Sequence, residues 1–185
     1  MFQEALAEIL LRLETARSRG LLSRYALIGG FAVSAWGVPR ATQDFDFAVT
    51  IGSADPLALA TFFGAQYHAG GPDDPLQGVV HVAIEVEGQS IPLQLVVFPS
   101  ALTELVFRYV ESLSVLERVV PVVSWQVLVL LKLYAGGPQD MFDAQQILKV
   151  RYSKLDDMQR IAEMAESVGL LNEWTALSNS ANRTQ

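Results

Sequence analysis

Asp44 and Asp46 alternate with Phe45 and Phe47, and in an extended segment side chains two apart point the same way. Two carboxylates therefore converge on one point while two aromatic rings enter the opposite layer. Neighbouring aspartates repel each other, and a hard divalent cation is the usual reason such a pair is tolerated. Mg²⁺ is commonly held by one or two carboxylates together with the phosphates of a nucleotide. The bland alternative is a pair of polar residues on the exposed face of a strand, which alternation alone produces.

Gly29-Gly30 lies upstream, separated from Asp44 by thirteen intervening residues. Residues 24–28 (RYALI) read as a strand and 31–36 (FAVSAW) as one or two helical turns, so the glycines occupy a strand-to-helix turn. Without side chains there, backbone can approach a ligand closely, and a helix start offers free N–H groups to a phosphate. A glycine pair alone says little. Joined to Arg40 and Thr42, which precede the acidic strand and read either as phosphate contacts or, for the arginine, as an ordinary surface residue beside Pro39, and then to Asp44 and Asp46, it describes a site for a metal-chelated triphosphate. Lys132 stands in an otherwise apolar helical run, LVLLKLYA, where a buried amine is costly unless paired or at a site. It is read as a phosphate ligand, with snorkelling to solvent as the alternative.

The run LIGGFAVSAWGVPRATQDFDFAV, residues 27–49, resembles the signature of the nucleotidyltransferase superfamily: an apolar residue, a glycine pair, a spacer, then Asp-x-Asp between apolar residues. Within it, the chain is most similar to the small bacterial abortive-infection-type nucleotidyltransferases, many of them toxins of toxin–antitoxin pairs. Residues 128–148 (LVLLKLYAGGPQDMFDAQQIL) resemble that group's later helical motif, a lysine followed by an acidic pair on the next helix. The resemblance implies Mg²⁺ or Mn²⁺ held by Asp44 and Asp46. It implies nucleotide contacts from Gly29, Gly30, Arg40, Thr42, Lys132, Asp140 and Asp143, an acceptor hydroxyl on RNA, protein or a small molecule, and a cognate antitoxin. From the residues alone, Asp140 is adequately explained by helix capping.

The sequence departs from the superfamily at one point. A third carboxylate is expected on a later strand, and the matching strand, residues 91–98 (IPLQLVVF), holds Gln94 there. Glutamine hydrogen-bonds well but is a poor general base and a weak Mg²⁺ ligand. Three readings stay open: two carboxylates suffice, Glu85 or Glu87 moves in, or the chain binds nucleotide or protein without catalysing.

The net charge of −7 argues against a general nucleic-acid binder, which needs a positive field. Lys149, Arg151 and Lys154 form a local basic group that reads either as an RNA contact or as a solvated helix end. There is no cysteine, which excludes disulfides and thiolate metal sites and points to a cytoplasmic protein. The longest apolar stretch, 119–134, is interrupted by Pro121, Ser124, Gln126 and Lys132, so no membrane span is expected. His68 and His81 lack metal-ligand spacing and receive no role.

Helical periodicity covers 2–19, and a second helix is expected from Asp55 to about Tyr67. A turn-rich loop follows over 69–78, then a hairpin of strands 79–87 and 91–98 turning at Gly88-Gln89. Helix 101–109, a strand at 117–122 and helices at 124–135, 138–150 and on to about Leu177 complete the chain. The expected fold is α+β, a nucleotidyltransferase-like mixed sheet flanked by helices. It comprises an α/β core at 1–123, a helical region at 124–178 packed on it, and a frayed tail at 179–185.

Overall fold

The computed structural model describes residues 1–52, 55–72, 74–151 and 155–182. In chain order the elements are α1 (Phe2–Ser18), β1 (Leu22–Ile28), α2 (Gly29–Ala35), β2 (Phe45–Ile51), α3 (Pro56–Phe62), β3 (Gln66–Ala69), β4 (Gly78–Val86), β5 (Gln89–Val97), α4 (Ser100–Arg108), β6 (Val110–Val115), β7 (Arg118–Val123), α5 (Trp125–Ala135), α6 (Pro138–Arg151), α7 (Leu155–Ser167) and α8 (Leu171–Asn182). The fold is α+β. One open mixed sheet runs β3-β4-β5-β2-β1-β7-β6, with β2 antiparallel to β1 and parallel to β5, and β1 parallel to β7.

Local chemistry explains most boundaries. Leu6, Ile9, Leu13 and Ala16 follow the helical period and are fully buried, so α1 lays one apolar stripe on β1 and β4. Asp55 caps α3 by accepting the Leu57 N–H at 2.9 Å, with Pro56 at the first helical position. Ser124 caps α5, and Gly136, in the left-handed region at φ 68°, ends it. Phe45 and Phe47 are fully buried, and Phe45 stacks on Phe31 of α2 with ring centroids 4.2 Å apart. This aromatic layer fixes which face of β2 carries Asp46.

The structure differs from the sequence expectations in four places. The β4–β5 hairpin turns at Glu87-Gly88, both at positive φ, one residue before the expected Gly88-Gln89. The helix expected to reach Tyr67 stops at Phe62, because Gly64 at φ 66° breaks it, and Gln66–Ala69 joins the sheet as β3. An unexpected edge strand, β6, pairs with β7 across a turn at Leu116-Glu117. Helix α8 continues to Asn182, into the segment expected to fray; 183–185 lie outside the described residues.

Arg151 donates to the Trp36 carbonyl at 2.7 Å and lies over its ring, so it serves packing; Lys154 lies outside the described residues. Among the described residues, no helix is long and apolar enough to cross a membrane.

Candidate functional site

The loop before β2 and the β2 strand itself bring Asp44 and Asp46 to one end of the sheet. In the parallel ladder Asp46 is paired with Gln94 of β5, and in the antiparallel ladder with Ile28, the residue before the glycine pair. Paired residues on neighbouring strands share a face, so the ladder alone sets Asp46 and Gln94 side by side. Glu85 is exposed on β4 beside Ser90, and the Glu87 carboxylate lies 3.7 Å from the Met1 amine. Neither occupies the third position.

Each glycine is matched to its own neighbours. A Cβ on Gly29 would overlap Asp46 Oδ2, and Gly29 sits at φ 66°, a conformation that side chains other than glycine disfavour. A Cβ on Gly30 would fall 2.5 Å from Thr42 Oγ1 and 2.8 Å from Arg40 Nη1. Thr42 in turn donates to Asp44 Oδ1 at 2.9 Å, which orients that carboxylate.

Helix α5 supplies the opposite wall. Leu128, Leu131, Lys132 and Ala135 recur at the spacing of one helix face, and with Ile28, Gly29, Gly30, Arg40, Asp44, Asp46, Gln94 and Asp140 they enclose a cleft of about 530 Å³. Sequence reasoning named Lys132 on this face but not its apolar companions, although the i, i+3, i+4, i+7 pattern was there to be read. It also missed Pro75 and Leu76, which close the rim; Tyr134 donates its hydroxyl proton to the Pro75 carbonyl. A second groove of about 560 Å³, between α4 and α7, is lined by Arg108, Tyr109, Arg160 and Met164 and contains none of the residues singled out from sequence.

The charges form a layered arrangement. Lys132 is buried, with its ammonium 2.7 Å from Asp140 Oδ1 and 3.0 Å from Asp143 Oδ2. Arg40 Nη1 is 3.2 Å from the same Asp143 oxygen, and Gln139 donates to the other at 2.9 Å. Asp143 is only 2% exposed. Its Oδ2 is held by two cations rather than by aligned hydrogen bonds. Thr42 and Asp143, read from sequence as nucleotide contacts, thus stand one layer behind the cleft surface, each against residues that line it.

Burial, and next the charge of Asp44, push the Asp46 carboxyl up to about 6, against the pull of Lys132 and Arg40. A carboxylate in this state gains from any added positive charge. Among the described residues, no group of three or more His, Cys, Asp or Glu side chains is arranged to hold a metal. The donor set therefore fits a divalent ion shared with ligand phosphates, through Asp44 and Asp46, and does not fit a cage made by protein alone.

No protein-family model matches the chain, and no curated protein matches it in sequence. Solved structures similar to it in backbone include these two. One is the crystal structure of a Thermotoga maritima protein provisionally assigned as a nucleotidyltransferase, with a TM-score of 0.49 and 14% identity over 81% of this chain and 94% of that one. The other is the solution structure of the antibiotic-resistance factor ANT(2'')-Ia, with a TM-score of 0.42 and 13% identity over 98% and 99% of the two chains.

Proposed function

We propose that the cleft binds a nucleoside triphosphate together with Mg²⁺ or Mn²⁺ and that the protein transfers the nucleoside monophosphate to an acceptor hydroxyl. The observation that carries this reading is the facing of two carboxylates and two cations across glycine backbone. Asp44 and Asp46 would hold the metal, which would supply positive charge against that developing on the phosphates. Arg40 and Lys132 lie where they can take the remaining phosphate oxygens, held ready by Asp143 and Asp140. Gly29 and Gly30 leave room for the triphosphate against the backbone, and Leu128, Leu131, Val96 and Phe98 offer an apolar wall to the base.

The bonds balance simply. The acceptor oxygen loses its proton and bonds to the α-phosphorus. The bond from that phosphorus to the bridging oxygen breaks, and pyrophosphate leaves with the electron pair.

The test is titration calorimetry of each triphosphate with Mg²⁺ into wild-type, Asp44→Ala and Asp46→Ala proteins, followed by incubation of labelled triphosphate with total cellular RNA and protein. Metal-dependent binding lost in both variants supports the reading, and unchanged binding removes it. The sequence resemblance extends the reading to a toxin restrained by an antitoxin, with RNA or protein as the acceptor.

A second reading is favoured by one observation, the amide at Gln94 where an acid is expected. In it the chain binds nucleotide or a protein partner without transfer. Tight binding with no label transferred to any acceptor selects it.

A further inference from the structure

Gln66, His81, Gln94 and Asp46 are paired in turn across β3, β4, β5 and β2. They form one row on one face of the sheet. Asp46 and Gln94 belong to the cleft; His81, one strand further out, is exposed. The groups around His81 are His68 on β3, with ring centroids 5.6 Å apart, Gln94 on β5, and, four residues along on the same face of β4, Glu85. Among the described residues, its ring contact is with His68.

The row has a direction. Gly30 follows β1, Arg40 lies against Gly30, and Lys132 shares Asp143 with Arg40, so the cations belong to the β1 side of Asp46. Under the nucleotidyl-transfer reading, on which this inference rests, the departing pyrophosphate lies with those cations. An in-line displacement then brings the acceptor hydroxyl from the other side, over β5 towards β4. The residue met first there is Gln94, which can hydrogen-bond a hydroxyl but cannot take its proton. The residue met next is His81, and neutral imidazole is the side chain suited to accept a proton near neutral pH. Neighbouring strands lie about 4.8 Å apart, so His81 and Asp46, two strands apart with Gln94 between them, are separated by roughly 10 Å at the backbone, and a phosphate with its attacking hydroxyl would lie over Gln94 between the two side chains.

We infer that His81 accepts the proton of the acceptor hydroxyl, with Gln94 hydrogen-bonding and orienting that hydroxyl. The role that a carboxylate at position 94 would fill is thereby divided between an amide and an imidazole on adjacent strands.

His68 and His81 are the two histidines of the chain, so ring resonances in an NMR spectrum are easily assigned. Wild-type protein is titrated with Mn²⁺ and the α,β-methylene analogue of whichever triphosphate binds most tightly by calorimetry. Paramagnetic broadening falls with the sixth power of distance, so His81 should broaden several-fold more than His68, and Asp46→Ala should remove the effect. Binding by calorimetry with His81 broadened no more than His68 overturns the role of His81 alone. Absence of binding to every triphosphate overturns the nucleotide reading, and this inference with it.

In the labelled-triphosphate assay, His81→Gln should lower transfer at least tenfold at unchanged nucleotide affinity. His81→Gln combined with Gln94→Asp should recover transfer. A His81→Gln protein as fast as wild type overturns the proposal.

Discussion

The carboxylate of Asp46 lies against the backbone of Gly29, in the space that any side chain at position 29 would have to enter. The glycine's left-handed conformation at φ 66° turns the chain from β1 into α2 while leaving that space to a residue on the neighbouring strand. One glycine thus answers a backbone requirement and a site requirement together.

Gly29→Ala should separate the two requirements. Gly64 has the same φ of 66° but nothing within 4 Å of its Cβ position, so Gly64→Ala carries the backbone cost alone, about 1–2 kcal/mol. Gly29→Ala should cost more than that and also abolish metal–triphosphate binding. Urea melts of the two variants, with calorimetry for binding, check this; equal stability losses with binding retained in both would contradict it.

Asp46 gives a pH signature. Its carboxyl is raised to about 6 in the folded chain, from 3.8 as the ordinary value, so the folded state binds the proton more tightly than the unfolded state does. Stability contributed by the protonated form is present below about pH 4 and is lost as pH rises through 6. Without divalent metal, Asp46→Asn should therefore be more stable than wild type at pH 8, by up to about 3 kcal/mol. The two should converge near pH 4. Thermal melts across that range in a chelating buffer test the sign.

Lys132 is structural as well as available to ligand. The sequence view, with Lys132 snorkelling or reaching phosphate, expects Lys132→Met to leave packing intact. The structure instead pairs it with buried Asp143. Lys132→Met should cost about 2–3 kcal/mol, less than the 3–5 kcal/mol of a fully orphaned charge, because Arg40 remains beside Asp143. Lys132→Met with Asp143→Asn should recover most of that stability and still bind triphosphate more weakly than wild type. If the double variant binds triphosphate normally, Lys132 contributes to folding only.

Gln94→Asp sets a carboxylate beside Asp46 in the same ladder. Without metal at pH 8 the added repulsion should lower the melting temperature by a few degrees. Addition of Mg²⁺ should raise it more than in wild type. A variant indifferent to Mg²⁺ would show that position 94 does not face the ion.

The alternation at 44–47, the glycine pair and the helix periods were legible because each is a local pattern with a local cause. β6 was not, because its hairpin turns at Leu116 and Glu117, at φ 47° and 62°, where neither glycine nor asparagine announces the turn. β3 was hidden because Gly64 sits inside a run that keeps its apolar character on both sides. The pairing of Arg40 with Asp143 spans the chain from the loop before β2 to α6, and no spacing rule reaches that far. Asp140 and Asp143 were picked out by resemblance alone. Only the structure distinguishes the one that faces the cleft from the one that stands behind the cations.

The parallel entry of β5 between β2 and β4 also orders events during synthesis. β2 finds its antiparallel partner β1 at once, yet its other edge has no neighbour until Val97 has emerged. A nascent chain ending before Gln89 therefore offers Phe45, Phe47 and Val49 on an open strand edge, the form most prone to pair with another chain. The strand that seals this edge is the one that sets Gln94 beside Asp46. For this protein, becoming safe from self-association and acquiring the floor of its cleft are a single step.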